Sequence, residues 1–264
     1  MIGKPGYLEE AEEIFDGWQE TLIWSCLQGV MGEVYTEQAH GFKSGMALLG
    51  DFCFLAGKPN EELVRYRPKE CRQEFVIMVP RDEAWGEMIE RCYEERAKKV
   101  TRYAFRKEPE VFCEEKLKQI TAALPPEYSI RLIDEELYHW CREGRQNRER
   151  EWCADWVSQY ADYEMYREYG LGVAVLKDNE PVSGASSYSS YQGGIEIEID
   201  TRPDYRRRGL ARICGAGLIL ECLKRGLYPS WDAQNLWSKE LAGKLGYHFD
   251  HSYTAYEIWG WNQA

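Results

Sequence analysis

Residues 195–211 read IEIEIDTRPDYRRRGLA. The first part alternates strictly, with Ile195, Ile197 and Ile199 on one side and Glu196, Glu198 and Asp200 on the other. A period of two predicts a strand with one face on a core. Pro203 ends that strand, and Gly209 leads into a helix that runs to Arg225. Between Arg202 and Arg212 five arginines stand against one acid, Asp204. Strand, basic turn and helix start in this order make an anion site. The first N–H groups of a helix lack intrahelical acceptors, and the helix dipole adds positive potential there. Gly209 has no side chain to hold a phosphate away from the backbone. The arginines add charge-assisted hydrogen bonds. The expected ligand carries a phosphate or pyrophosphate. On residue types alone, a solvated basic turn is an equal reading. No Walker A pattern occurs, and Gly215 and Gly217 lie inside the helix instead of opening it, so no dinucleotide fingerprint is present either.

A second informative stretch lies downstream. Residues 229–247 read PSWDAQNLWSKELAGKLGY. A short strand, Tyr228–Trp231, precedes a helix from Asn235 to Leu245 that Gly246 ends. Taken alone, Asn235 reads as a helix N-cap before it reads as a ligand contact. Trp237, Leu241 and Leu245 read as core.

The rest of the chain mixes helix and strand. Residues 8–25 show a helical apolar stripe. Val30–Tyr35, Met46–Leu55, Phe75–Val79 and Val100–Phe105 read as strands. Asp82 caps a helix with Trp85, Met88, Ile89 and Cys92 on its apolar face, and Val111–Leu124 forms another before Pro125 and Pro126. The double proline is the expected boundary between domains 1–125 and 126–264. Beyond it follow a strand at Tyr128–Leu132, a helix at Asp134–Arg142 and a charged connector to Glu151. Three strands come next, Leu171–Leu176, Pro181–Tyr191 and Gly194–Asp200, and Tyr247–Trp259 closes the chain as strand. No repeat of 20–50 residues is visible.

Composition narrows the function. The 264 residues carry 45 acidic and 33 basic side chains, a formal net charge of −12. That argues against nucleic acid and against an anionic membrane surface as partner, since both need a basic footprint. No stretch is long and apolar enough to span a bilayer, and the acidic first twenty residues do not resemble a secretory signal. The nine cysteines have wide spacings and no CxxC, so neither a disulfide framework nor a metal site is expected, and a reducing cytoplasm fits.

The two stretches together resemble the GNAT superfamily of acyl-CoA-dependent N-acetyltransferases. Arg206-Arg207-Arg208-Gly209-Leu210-Ala211 fits the family's Q/R-x-x-G-x-G/A phosphate motif, and Asn235…Gly246-Tyr247 fits its later N-x(10)-G-F/Y block. The wording EIEIDT, RRRGLA and WDAQNLWSKELAGKLGY is also similar to the branch that includes zwittermicin-type resistance acetyltransferases. The resemblance implies a mixed, largely antiparallel α/β sheet flanked by helices, with a smaller N-terminal α/β domain. It implies acetyl-CoA as co-substrate, held by the backbone near Ile199 and Thr201, by Arg206 through Ala211 (including Leu210), and by Asn235 and Ser238 along the pantetheine. Many relatives carry a Tyr seven residues after the Asn as general acid; Ala242 stands there in this chain, with Tyr247, Tyr253 and Tyr256 as substitutes to weigh.

The implied chemistry is direct attack of a primary amine, of a small molecule, on the thioester. Glu196 and Glu198 are the candidate bases, with Asp200 continuing their row, because neighbouring like charges raise a carboxylate pKa. A solvent-facing acidic row is the plain alternative. A backbone N–H near Ile199 to Thr201 would hold the oxyanion. A non-catalytic acyl-CoA sensor or scaffold is the rival function. The N-terminal domain is open to roles as cleft wall, support or homodimer contact. His40, His139, His248 and His251 are scattered, with surface or core roles favoured over the cleft.

Overall fold

A computed structural model describes residues 2–261 except 38–40, 42, 72, 145, 146 and 148. The chain divides into two compact units, Met1–Arg102 with Ser252–Ala264, and Tyr103–His251. Strand β6 (Ala97–Phe105) carries the chain out of the first unit, and β13 (Phe249–Trp259) carries it back.

The first unit is built on β1 (Ile2–Gly3), β2 (Glu33–Glu37), β3 (Ser44–Leu49), β4 (Phe52–Gly57) and β5 (Phe75–Pro80), in that order across the sheet. The end of β13 pairs antiparallel with β5, Tyr256 with Met78 through Trp259 with Phe75. Among the described residues of this unit, β4 and β5 run parallel and the other pairs antiparallel. Helices α1 (Glu9–Glu12) and α2 (Thr21–Leu27) precede β2, α3 (Glu61–Val64) follows β4, and α4 (Glu83–Tyr93) follows β5. Asp82 caps α4 as expected, its Oδ1 accepting from the Trp85 N–H at 3.1 Å. The expected helix over 8–25 is broken instead. A 3-10 turn at Glu13–Phe15 leads to Gly17, whose φ of +69° no helix can hold. The expected strand over 46–55 is two strands, β3 and β4, turning at Gly50 with φ +58°.

The second unit begins with the end of β6, then α5 (Glu114–Ala122), so the double proline falls inside it, between α5 and β7 (Tyr128–Leu132). Helix α6 (Glu135–Glu143), a 3-10 segment at Glu151–Trp156 and α7 (Tyr163–Tyr169) follow. Strands β8 (Gly172–Lys177), β9 (Glu180–Tyr191) and β10 (Gly194–Thr201) form the antiparallel centre, and α8 (Leu210–Lys224) crosses to β11 (Tyr228–Ser230), parallel to β10. The sheet order is β11-β10-β9-β8-β7. The short β12 (Asp232–Ala233) pairs with β6 at Ala104 and Tyr103, and α9 (Leu236–Leu245) leads to β13.

Helix α8 is apolar around most of its girth, as a helix buried on several sides must be. Ile213, Cys214, Leu218, Ile219 and Cys222 are buried with Ile195 and Ile197 of β10, Val173 and Val175 of β8, and Leu117 and Ile120 of α5. Small residues admit the close approaches: a Cβ on Gly215 would press on Leu245, and one on Gly217 on Ile130. The expected helix from Val111 therefore matters for its second half; α5 starts only at Glu114.

The chain runs twice through the series β-α-α-β-β-β-α-β-α-β, from β1 to β6 and from β7 to β13, leaving the two-residue β12 aside; the end of the second series, Ser252–Trp259, lies in the first unit. Among the described residues, the parallel neighbours are the strands flanking each crossover helix, β4 with β5 and β10 with β11. An element order that recurs after more than a hundred residues escapes a search for short repeats. Among the described residues no helix is long and apolar enough to cross a membrane.

Candidate active site

Strand β11 pairs along its three residues with the start of β10, Gly194 with Tyr228, Ile195 with Pro229 and Glu196 with Ser230. Past that point they part. β10 continues to Thr201 against β9, while the chain after Ser230 turns through Trp231 to pair with β6. The result is a V with its crotch at Glu196 and Ser230. The register between β10 and β9 slips at the same place: Glu196 faces Ser189 and Ile197 faces Ser187, leaving Tyr188 as the extra residue of a bulge. Bulges add local twist and re-aim side chains.

Beyond the V arm of β10 stands the basic turn. After a 3-10 turn at Pro203–Tyr205, Arg207 takes φ +61° and Gly209 takes φ +80°. No side chain caps α8. Gly209 has open space where a Cβ would stand, so its requirement is the left-handed backbone, not room. Arg202 is committed to Asp204, with Nε and Nη2 donating to the two carboxylate oxygens at 2.9 and 3.1 Å, which holds that carboxyl below its ordinary range. Arg206 donates from Nε to the Thr201 carbonyl at 3.2 Å. Arg208 donates to the Asp204 carbonyl at 2.9 Å and lies 4.6 Å over the Tyr205 ring. Arg206, Arg207 and Arg208 are exposed beside the uncapped helix start, where Leu210 is buried in the core and Ala211 half-buried. The five expected arginines thus reduce to three facing out at this turn.

The acidic row separates into unlike members. Glu196 is buried at the crotch, whereas Glu198 and Asp200 are half-buried further along the arm. Asp200 is pushed up to about 7, first by burial and then by the charge of Asp155; Arg206 and a hydrogen bond with Glu198 oppose the rise. Asp155 belongs to the 151–156 segment, which packs on β9 and β10. That segment and α7 are pinned by buried hydroxyls: Tyr160 Oη bonds Ser187 Oγ at 2.6 Å, and Tyr166 Oη bonds Ser186 Oγ at 2.9 Å. At the crotch, Tyr191 Oη and Ser230 Oγ share a hydrogen bond of 2.9 Å. Asp155, Tyr191 and Ser230 went unread in the sequence. Asp155 and Ser230 lie well outside the 195–211 stretch, Tyr191 sits on the preceding strand, and no spacing rule joins the three.

Asn235 acts as a cap: its Oδ1 accepts from the N–H of Trp237 at 3.0 Å and of Ser238 at 2.9 Å. Ser238 Oγ accepts from Trp231 Nε1 at 3.1 Å. Asn235→Ala is expected to cost about 1 kcal/mol of stability, read as a lower midpoint in urea. Trp237 is not core; it is 80 % exposed, because the first turn of α9 turns that position outward, whereas Leu245 is buried. Ala242 is fully buried, and two of the three candidate tyrosines are committed elsewhere. Tyr247 Oη donates to the Pro229 carbonyl at 2.6 Å from within the core, and burial raises its pKa. Tyr256 Oη donates to Glu90 in the first unit at 2.7 Å. His248 pairs with Glu108 at 2.8 Å and His251 with Asp250 at 2.9 Å, both exposed, and His40 lies outside the described residues. Among the described residues, no group of three or more His, Cys, Asp or Glu stands ready to hold a metal.

The comparisons agree with this geometry. A sequence model described as GNAT acetyltransferase matches residues 12–256. The chain belongs to that family. An N-acetyltransferase of Bacillus subtilis (strain 168), YdfB, is 28% identical, with 91% of each chain covered. A crystal structure of a GCN5-related N-acetyltransferase-like protein from Streptococcus suis 89/1591 is similar at 44% identity and TM-score 0.87, covering 96% of this chain and 98% of that one. A GCN5-related N-acetyltransferase from Kribbella flavida shares the fold at 15% identity and TM-score 0.51, with 90% and 94% covered. The protein is an N-acetyltransferase, and the acyl donor of its family is acetyl-CoA.

Proposed function

We propose that acetyl-CoA lies in the V between β10 and β11 and that a primary amine of a small molecule attacks its thioester directly. The observation that carries this reading is the parting of the two strands at Glu196 and Ser230, on the arm that leads to the Arg206–Ala211 turn. Arg206, Arg207 and Arg208, with the N–H groups of Gly209, Leu210 and Ala211, take the pyrophosphate. The main chain at Ile199 and Thr201 pairs with the pantetheine. Asn235 and Ser238, both bonded within the protein, set the start of α9 along it.

An alkylammonium must lose a proton before it attacks. A carboxylate that titrates near neutrality is suited to accept it, and Asp200 with its hydrogen-bonded neighbour Glu198 fits best. Glu196, deeper at the crotch, is the second candidate. The amine nitrogen then bonds to the acetyl carbon, the oxyanion is held by an N–H between Ile199 and Thr201, and collapse breaks the carbon–sulfur bond. The thiolate leaves with a pKa of about 8.5, so water can protonate it without a dedicated acid at position 242. Glu198, Asp200 and Asp155 make the acceptor side electronegative, which favours cationic amines. The likeness to zwittermicin-type resistance enzymes belongs to this proposal as one class of such amines.

Release of CoA thiol with a panel of polyamines, amino sugars and lysine peptides tests the reading. Turnover confined to peptides would remove the small-molecule acceptor; tight acetyl-CoA binding with no turnover on any amine would favour the sensor. For the cofactor, Arg206→Ala combined with Gly209→Asp is expected to weaken acetyl-CoA binding at least tenfold, about 1.4 kcal/mol, by calorimetry. Both positions are exposed, but Gly209 holds φ +80°, so the Asp strains the turn locally and a thermal melt of the variant checks that the fold survives.

A further inference from the structure

The two units share one topology, yet their crossover junctions differ at each point that the cofactor site uses. In the second unit β10 and β11 stop pairing at Glu196 and Ser230, and β10 then runs on to Thr201. In the first unit the counterparts pair over four residues, Phe52 with Ile77 through Leu55 with Pro80, so that two residues of β4, Ala56 and Gly57, run past the pairing against five of β10. The pairing extends further still, since Arg81 N donates to the Leu55 carbonyl at 2.9 Å. The last carbonyl of β4 is also taken, since Trp85 Nε1 donates to the Gly57 oxygen at 2.9 Å. No V opens there.

The loop differs as well. Arg202 to Gly209 joins β10 to α8, whereas only Lys58, Pro59 and Asn60 join β4 to α3. The start of α8 is uncapped, but Asn60 Oδ1 caps α3 by accepting from the Leu63 N–H at 3.3 Å. The first turn of α3 carries Glu61 and Glu62, which repel a phosphate, and that helix is four residues long against fifteen for α8. Where the second unit puts arginines and free N–H groups, the first puts carboxylates and a filled cap.

We propose that the first unit is a second copy of the acetyltransferase fold whose cofactor cleft is closed by strand pairing, so that each chain binds one acetyl-CoA, in the second unit. This rests on the placement of acetyl-CoA in the β10–β11 V. The closed copy gives the protein a scaffold with the same strand order and no competing thioester site.

Calorimetric titration of the full chain with acetyl-CoA, followed by hydrogen exchange with and without it, tests the inference. The expected result is a ratio of one per chain, with slower exchange over residues 197–212 and no change over 52–64. A ratio of two, or protection of 52–64, overturns it. The Arg206→Ala, Gly209→Asp chain should show no second, weaker site; residual saturable binding with protection at 52–64 overturns it too. A ratio of one with 52–64 unchanged and protection away from 197–212 would support the closed copy and fault the placement of the pyrophosphate instead.

Discussion

Asp200→Asn is expected to lower kcat/KM by about 10²–10⁴-fold at neutral pH, the usual scale for loss of a general base. Glu198→Gln should fall on the same side with a smaller loss, because it removes a neighbour that shares a hydrogen bond with Asp200, not the group that titrates near 7. Wild-type kcat/KM should rise with pH and level above about 7, where Asp200 has given up its proton, and the Asn variant should lose that limb. Equal rates in wild type, Glu196→Gln, Glu198→Gln and Asp200→Asn would make the row a bystander. Stability gives an independent check. The folded protein holds the Asp200 proton up to about 7, while the unfolded chain releases it near the ordinary aspartate value of 3.8. The stability that this group contributes is therefore present at low pH and lost as pH rises across that window. The melting temperature of wild type relative to Asp200→Asn should fall from pH 4 to pH 7, so the variant should be the more stable protein where the enzyme works. A difference that does not move with pH would mean that Asp200 is not perturbed.

Cutting the chain at the double proline is the second large effect. A fragment of residues 126–264 keeps the whole cofactor site but loses the side chains of Phe105, Leu117 and Ile120, all buried in the same core as α8. At about 1.5–3 kcal/mol for each fully buried side chain, that is about 5–9 kcal/mol, as large as the net stability of many domains. It also loses Tyr103 and Ala104, which pair with β12. We expect no cooperative thermal transition from 126–264, and a transition near that of the full chain would restore the boundary at Pro125.

The strand, basic turn and helix start proposed for the cofactor were legible in the sequence because their signals are local. Arg206 to Ala211 needs only a strand end, a turn and a helix start, each set by neighbours within a few residues. The Asp82 cap and the Asn235 cap are local in the same way. The elements that failed were those where tertiary contacts set the backbone. Residues 8–25 keep a helical stripe, yet the chain leaves the helix at Gly17. Met46–Leu55 is apolar on both sides of Gly50-Asp51, which hides the turn at Gly50 between two buried strands. Trp237 is large and apolar yet faces out.

The sequence by itself determined the class of ligand. A basic turn at a helix start attracts phosphate whatever surrounds it, and the family resemblance turns that phosphate into acetyl-CoA. Only the tertiary structure decided which carboxylate is tuned, because the raised pKa of Asp200 needs burial and the charge of Asp155, which a separate segment brings to it. Only the structure showed that the two halves share one element order, since halves can share strand order without sharing a pattern of residues. Pairing partners are chosen over long distances in the chain. The same strand order is therefore open at Ser230 and closed at Pro80, and no reading of either strand alone distinguishes the two.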